Sequence, residues 1–366
     1  MSQSHDHIPV VDLSDLTSSQ HAAQTRAADA ILKGFGQFGL IYIRNHSIEG
    51  ATLDEFYSDF LSFCARPDEE KAKVGCPDIW YQRGWTPPNT EQAVVAGGQP
   101  DFKECYFIAP EPLDEVAKTQ FPQVYADNVW PEGLARFQER YMEIGHQLHE
   151  VGLGLLRGCA RALGLPPYSI EAAVYGGAHV TRALRYLPLS QEQVGTGILW
   201  GEEHTDFNLL TLLPGGHFYD PNGERCGRPD PKCGLYLRTR PTPEHPQGEM
   251  LSGTPPAGCI VAQVGQELEI LTGGRLLATP HVIYAPDKPG FSRTSMAHFI
   301  HLHAHQILAP LAPFRSPEVI KAYSPPVLAG TYAHKTLIDI GLAPRETLDQ
   351  LGYRHYDRLS GWRATQ

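Results

Sequence analysis

Residues 201–216 read GEEHTDFNLLTLLPGG. The run 209–213 is apolar and of strand character, and Pro214, Gly215 and Gly216 end it. In an extended segment, side chains two residues apart point to the same face. The His204 imidazole and the Asp206 carboxylate therefore project together, with Thr205 turned away. Two such donors and one distant histidine make a 2-His-1-carboxylate set, which leaves open positions on an Fe(II) ion for oxygen chemistry. The tripeptide alone is weak evidence, because the chain carries 17 His and 41 acidic residues. Its surroundings must decide.

Downstream, residues 268–271 read as a short strand, Thr272-Gly273-Gly274 as a hairpin-type turn and residues 276–284 as the return strand, which carries His281. A Pro/Gly turn at 287–290 leads into a strand over 293–301. Arg293 and Ser295 share a face of that strand, and a guanidinium beside a hydroxyl suits a carboxylate. On the residues alone the third metal donor is open between His217, His281, His298 and the later group His301, His303 and His305. His217 follows a double glycine so soon after Asp206 that a return to the same ion is awkward.

HTDFNLLTLL, then GQELEILTGGRLLATPH, then RTSMAHF, in that order, resembles the isopenicillin-N-synthase-like branch of the Fe(II)/2-oxoglutarate-dependent oxygenases. FGQFGLIYIRNHSI near the N-terminus is similar to that family's strand ending in an Asn-His turn. The resemblance implies an α+β fold with a mainly β core, a double-stranded β-helix (jelly roll) with flanking helices. It implies Fe(II) held by His204, Asp206 and His281, and 2-oxoglutarate held by Arg293 and Ser295 with Tyr186 as a further donor. With O2, the implied reaction oxidises an unactivated C–H of a small molecule by hydroxylation, desaturation or cyclisation, and releases succinate and CO2. Leu184 stands where the family often has an asparagine facing the co-substrate. That departure gives weight to an oxidase of the same fold that does not use 2-oxoglutarate. A non-catalytic binding protein on the same scaffold is the more distant alternative.

Residues 80–112 read as an irregular Pro/Gly-rich loop, and Arg83-Gly84-Trp85-Thr86-Pro87 and Asp101-Phe102-Lys103-Glu104 within it resemble the family's loop near the substrate mouth. Tyr81, Arg83 and Trp85 are therefore candidate substrate contacts. Phe207 and Phe299, with Tyr106, are candidate aromatic walls. Lys103 and Glu104 have a plainer reading as a surface pair.

The rest of the chain frames this core. Residues 8–13 suggest a first strand, and Thr17 with Gln20 a capping box for a helix that ends near Lys33 with Gly34 at C′. A strand over 39–43 and a helix over 53–64 follow. Apolar residues at Leu134, Phe137, Tyr141, Ile144, Leu148, Val151 and Leu155 predict a helix over 131–164, about 50 Å long, with His146 and His149 solvated. Residues 214–259 read as a long excursion that serves as a lid or an oligomer contact. His301, His303 and His305 read as outward polar residues at a strand end, and 335–340 and 353–362 as helices. The expected organisation is an N-terminal region 1–180, a jelly-roll core 181–310 and a helical extension 311–366, together one catalytic unit.

Composition bounds the function. A net charge of −11 argues against nucleic acid or an anionic membrane as the main partner and leaves a small-molecule substrate. No apolar run approaches the roughly 20 residues that span a bilayer, and no secretory signal is evident. Seven Cys without a C-x-x-C point to reduced thiols and a cytoplasmic setting, with Cys226 and Cys233 read as surface thiols.

Overall fold

Ile260–Val264 is buried at every one of its positions, and the sheet is built outward from it. The computed structural model describes residues 8–90, 102–241, 243 and 245–350. In chain order its main strands are β1 (Val10–Asp12), β2 (Leu40–Arg44), β3 (Gly84–Thr86), β4 (Lys103–Ile108), β5 (Val180–Tyr186), β6 (Gly201–His204) and β7 (Leu210–Leu213). Then come β8 (Gly216–Tyr219), β9 (Arg225–Cys226), β10 (Gly234–Arg238), β11 (Met250–Ser252), β12 (Ile260–Val264), β13 (His281–Tyr284) and β14 (Ser292–Ile300). The large sheet runs β1-β2-β12-β7-β14-β5-β4-β3, with β8 paired to β14 and β9 to β8. The small sheet runs β11-β10-β13-β6.

The two sheets face each other across an apolar layer. Leu40, Tyr42 and Val261 of the large sheet pack on Leu235, Leu237 and Leu251 of the small one. Cys105, Leu184 and Tyr186 pack with Trp200 and Ile283 further along. This is the jelly roll, and with its helices the fold class is α+β. The outer face of the large sheet is covered by the helix Ala135–Ala162, which buries Phe137, Tyr141, Ile144, Leu148, Val151 and Leu155 as its periodicity predicts. It starts after Pro131 rather than at it and is about 42 Å long at 1.5 Å per residue over 28 residues.

Several expectations are corrected. The first long helix is His21–Gln37, and Gln20 is its N-cap without a side-chain cap bond. Gly34 lies inside that helix, where a Cβ would meet Ile41 Cγ2 at 2.2 Å, so glycine there serves close helix–sheet approach. The left-handed residue past the helix end is Gly39, with φ +65°. Residues 268–271 are not a strand. Gln266–Leu271 is a helix, and Gly273 and Gly274, both at positive φ, close its C-terminus. The return strand is only His281–Tyr284.

The supposed loop at 80–112 contains β3 and β4, which extend the large sheet and are buried throughout. Lys103 and Glu104 are buried rather than a surface pair, and Glu104 binds Lys71 at 3.0 Å and Arg185 at 2.9 Å. Asp101 lies outside the described residues. The excursion at 214–259 is β8 to β11, so most of it belongs to the two sheets. Cys233 is buried rather than a surface thiol. The helix expected at 335–340 is Ala329–Asp339, and the one expected at 353–362 lies outside the described residues. No described helix is long and apolar enough to cross a membrane.

Candidate metal centre and active-site cavity

β6 and β13 pair antiparallel with His204 directly opposite His281. That register brings the two imidazoles together, with ring centroids 4.4 Å apart. Asp206 lies just past the end of β6, outside the strand, and still turns back to the same point. Its Oδ1 is 3.5 Å from His204 Nε2 and 3.8 Å from His281 Nε2. One donor atom from each of the three lies within 4.8 Å of the others, the one such group among the described residues.

The outward sides of these groups are already engaged. His204 Nδ1–H donates to the Glu202 carbonyl at 2.7 Å, and His281 Nδ1–H to the Thr279 carbonyl at 3.4 Å. Each bond fixes the tautomer that leaves Nε2 as a lone pair facing the shared point. Thr211 Oγ1–H donates to Asp206 Oδ2 at 2.6 Å, which leaves Oδ1 inward. Burial works to raise the Asp206 carboxyl, but the facing His281 and His204 and the Thr211 bond outweigh it and hold the group well below the usual range. Burial, then the neighbouring His204, push His281 down to about 4. At His204 burial works downward but the facing Asp206 carboxylate outweighs it and raises that imidazole. Two imidazoles that present Nε2 and an ionised carboxylate, converging and preoriented, fit a divalent Fe ion by the chemistry of the donor set.

The loop that leads from Asp206 into β7 is clamped by the helix Gln266–Leu271. Gly265 N–H donates to Leu209 O at 3.1 Å, Gln266 N–H to Asp206 O at 2.8 Å and Glu267 N–H to Asn208 O at 3.2 Å. Gln266 Nε2 donates to Thr205 Oγ1 at 2.5 Å, while Tyr332 from the helix Ala329–Asp339 donates to Gln266 Oε1. Neither Thr211 nor Gln266 was singled out from sequence. Thr211 alternates with the apolar residues of its strand, and that parity was the available signal.

A cavity of about 460 Å³ holds the triad together with Tyr186, Arg293 and Ser295. On β14, Arg293 pairs with Tyr186 and Ser295 with Leu184. The Arg293 guanidinium carbon sits 5.4 Å from the Tyr186 ring centre and 5.7 Å from that of Phe218. A second chamber of about 180 Å³ shares His204, Asp206 and Phe299 with the first and adds Phe207, His301 and Leu337.

Other candidates lie elsewhere. Arg83 is fully buried and donates to the carbonyls of Ala126, Gln82 and Val124, at 2.9, 2.6 and 2.9 Å. Trp85 is buried with its Nε1–H on Glu104 Oε2 at 2.9 Å. Neither lines the cavity, so the expected substrate contacts at Arg83 and Trp85 are corrected to structural roles. Tyr106 is also core, with its hydroxyl on Val129 O. His217 pairs with Asp54 at 2.7 Å. His301 packs at a tilt against Phe207 at the second chamber, whereas His303 faces Asp114 and His305 faces Gln120, so the three do not share a face.

Residues 8–133 match the family described as non-haem dioxygenase in morphine synthesis N-terminal. The chain is 27% identical over 275 residues to the 2-oxoglutarate-dependent dioxygenase gloF of Glarea lozoyensis, covering 72% of this chain and 77% of that one. It is 27% identical to the homoarginine-6-hydroxylase 2-ODD-233 of Oryza sativa subsp. japonica, covering 71% and 73%. These matches support the Fe(II)/2-oxoglutarate-dependent oxygenase family for this chain. Among solved structures, the chain superposes on Neurospora crassa T7H in complex with alpha-KG with a TM-score of 0.72 at 22% identity, over 92% of this chain and 100% of that one. It superposes on a 2OG-Fe(II) oxygenase family protein of Caulobacter crescentus with a TM-score of 0.71 at 24% identity, over 91% and 99%. These two likenesses concern the fold.

Proposed function

We propose that this chain is an Fe(II)- and 2-oxoglutarate-dependent dioxygenase that oxidises a C–H bond of a small molecule and releases succinate and CO2. The observation that carries the reading is one cavity lined by a His204/Asp206/His281 triad and by Arg293 and Ser295. The triad would hold the iron. When bound, Fe(II) supplies the activation of O2, and 2-oxoglutarate the reducing electrons.

The chain's own residues do the rest. The Glu202 and Thr279 carbonyls hold both imidazoles in the ligating tautomer. Thr211 keeps Asp206 turned inward. The Arg293 fork and the Ser295 hydroxyl suit the far carboxylate of the co-substrate. Tyr186 stands beside Arg293 as its third contact. Leu184, where an asparagine was expected, offers the co-substrate an apolar neighbour in register with Ser295. The apolar layer around Trp200 and Ile283 limits water access to the cavity. Free cysteines among the described residues fit a reducing compartment such as the cytoplasm, and the acidic surplus fits a small-molecule partner rather than nucleic acid.

Asp206→Ala and His281→Ala should each abolish Fe(II)-dependent succinate formation in the purified protein, and retained turnover in either would remove the triad assignment. Arg293→Ala should raise the apparent KM for 2-oxoglutarate by about tenfold or more, the scale of a lost charged hydrogen-bonding pair. An unchanged KM there would favour the oxidase alternative, in which the Arg/Ser pair serves another carboxylate.

A further inference from the structure

Two polar side chains on the wall of the second chamber have hydrogen-bonding capacity that the fold leaves unused. The first is His301, which is half-buried and continues the inward face of β14 two residues past Phe299. Its place is fixed. The backbone N–H donates to His179 Nδ1 at 3.2 Å, and the ring centre lies 5.2 Å from that of Phe207, the residue after Asp206. Neither ring nitrogen has a hydrogen-bond partner among the described residues. Burial pushes the imidazole down to about 4, so near neutral pH it offers one N–H and one lone pair. The second is Gln82, which is buried. Its Nε2–H donates to the Trp80 carbonyl at 3.1 Å, and its Oε1 has no partner among the described residues. A buried polar atom without a partner is costly, so the pair points to a ligand that completes it.

Both residues also line a crevice of about 40 Å³ that adjoins the chamber, which places them together at the junction of the two. Neither lines the cavity that holds Arg293 and Ser295. The rest of the chamber suits an apolar body. Phe107, Phe207 and Phe299 supply aromatic walls, and Leu337, Ile340 and Leu342 line it from the helix Ala329–Asp339 and the turn after it. An apolar cavity of about 150 Å³ takes a benzene. At about 180 Å³ this chamber takes a single ring with a short substituent. His204 and Asp206 line it too, so a molecule held there lies against the triad. We propose that the primary substrate is a compact, mainly apolar alcohol or phenol, whose hydroxyl donates to Gln82 Oε1 and accepts from the His301 ring N–H while its apolar body lies along the aromatic wall. Anchoring one end sets which carbon faces the triad. Recognition then draws on none of the charged groups at this chamber. Among these, Glu203 is paired with Arg238 at 2.8 Å, and the Arg182 guanidinium carbon packs 5.3 Å from the Phe299 ring centre and 5.5 Å from that of Phe107.

This inference rests on the oxygenase reading, and the test separates the two. The full chain with Mn(II) is titrated calorimetrically with hydroxyl and fluoro pairs of similar shape: cyclohexanol and fluorocyclohexane, phenol and fluorobenzene, para-cresol and para-fluorotoluene. Fluorine keeps the size of the hydroxyl and lacks its proton. Each titration is run with and without 2-oxoglutarate. At least one hydroxyl compound should bind about tenfold or more tighter than its fluoro partner, the scale of a hydrogen bond whose loss leaves a buried group unpaired. His301→Phe and Gln82→Met should each shrink that gap to about twofold or less, and His301→Gln should keep part of it. All three should leave 2-oxoglutarate affinity within about twofold. Equal binding of hydroxyl and fluoro compounds across the panel overturns the proposal, as does failure of every hydroxyl compound to bind. So does a hydroxyl preference that survives in either His301→Phe or Gln82→Met. Loss of 2-oxoglutarate affinity in both variants overturns it too, because the two residues would then serve the fold rather than the substrate. Absence of 2-oxoglutarate binding to the wild type overturns the oxygenase reading instead, and the arm without it still decides His301 and Gln82.

Discussion

A single hydroxyl decides which oxygen of Asp206 faces the shared point. Thr211 Oγ1 lies 2.6 Å from Oδ2 and also contacts Asn208, so the carboxylate is held from behind rather than left to rotate. Thr211→Val keeps the shape and the β-branching that suits a strand but removes the donor. The buried carboxylate then loses one of the interactions that keep it ionised. The variant should fold, and its Mn(II) or Fe(II) affinity should fall by about 10- to 100-fold, the usual cost of losing an outer-sphere partner. Metal titration at constant pH measures this, and an unchanged affinity would show that the geometry of Asp206 is set by the loop alone. At this scale much was legible from sequence. H-x-D, the distal histidine and Arg-x-Ser are short patterns whose chemistry depends on side-chain type. The carbonyls that orient the imidazoles were not legible, because any residue supplies a carbonyl and only the fold decides where it points.

One short helix does the work of orienting the loop between the two strands. Gln266–Leu271 aims its first backbone N–H groups at the carbonyls of residues 206–208, groups that a helix N-terminus otherwise leaves unpartnered. Gly265 sits so close to that loop that an added Cβ would lie 1.9 Å from Asn208 O. The clash is with backbone and cannot be relieved by a rotamer change. Gly265→Ala should therefore destabilise the chain by about 1–3 kcal/mol, as overpacking does, and should also weaken metal binding. A urea midpoint and a metal titration read the two effects, and loss of stability with intact metal affinity would detach the helix from the site. The sequence of this element was misread because a four-residue apolar run over 268–271 satisfies strand and buried helix alike. Only Leu268 and Leu271, three apart and both buried, carry its helical face. β14 was read correctly because it is nine residues long and bears a same-face polar pair. β3 and β4 were missed because polar residues such as Arg83, Lys103 and Glu104 suggest surface, whereas each is buried in the folded chain.

The helix Ala135–Ala162 and the large sheet meet over a polar seam as well as an apolar one, and the seam should govern how the whole molecule responds to pH. His149 Nδ1 lies 3.3 Å from His298 Nε2, and His298 Nδ1 lies 2.9 Å from Thr181 Oγ1. His179 accepts from the His301 backbone N–H at 3.2 Å and faces His149 at a centroid distance of 4.4 Å. Burial, and then the neighbouring histidines, push His179 and His298 well below the ordinary histidine value, and burial takes His149 and His301 down to about 4. His149 was expected to be solvated, since a helical wheel cannot show that a sheet histidine meets it. Between these folded values and about 6.5 the unfolded chain takes up protons that the folded chain refuses, so stability falls as pH drops through that window. Glu267 acts in the opposite sense. Burial raises it to about 8, with the Leu302 N–H bond only partly offsetting this, so the folded chain keeps a proton that the unfolded chain releases above about 4.5. Its contribution is fully present below that value and is lost as pH rises towards 8. Each group contributes a slope of about 1.4 kcal/mol per pH unit within its window. Four histidines outweigh one glutamate on the acid side, whereas above about 6.5 the glutamate acts together with His146 and His204, which their carboxylate partners raise above the ordinary histidine value and which therefore act in the same sense. Stability should therefore peak near pH 6.5. Urea midpoints from pH 5 to 8.5 test the shape. Glu267→Gln should flatten the alkaline limb and His298→Asn should make the acid limb shallower. A wild-type midpoint that keeps rising from pH 6.5 to 8 would mean that Glu267 is ionised in the folded chain and that its burial is compensated by another group.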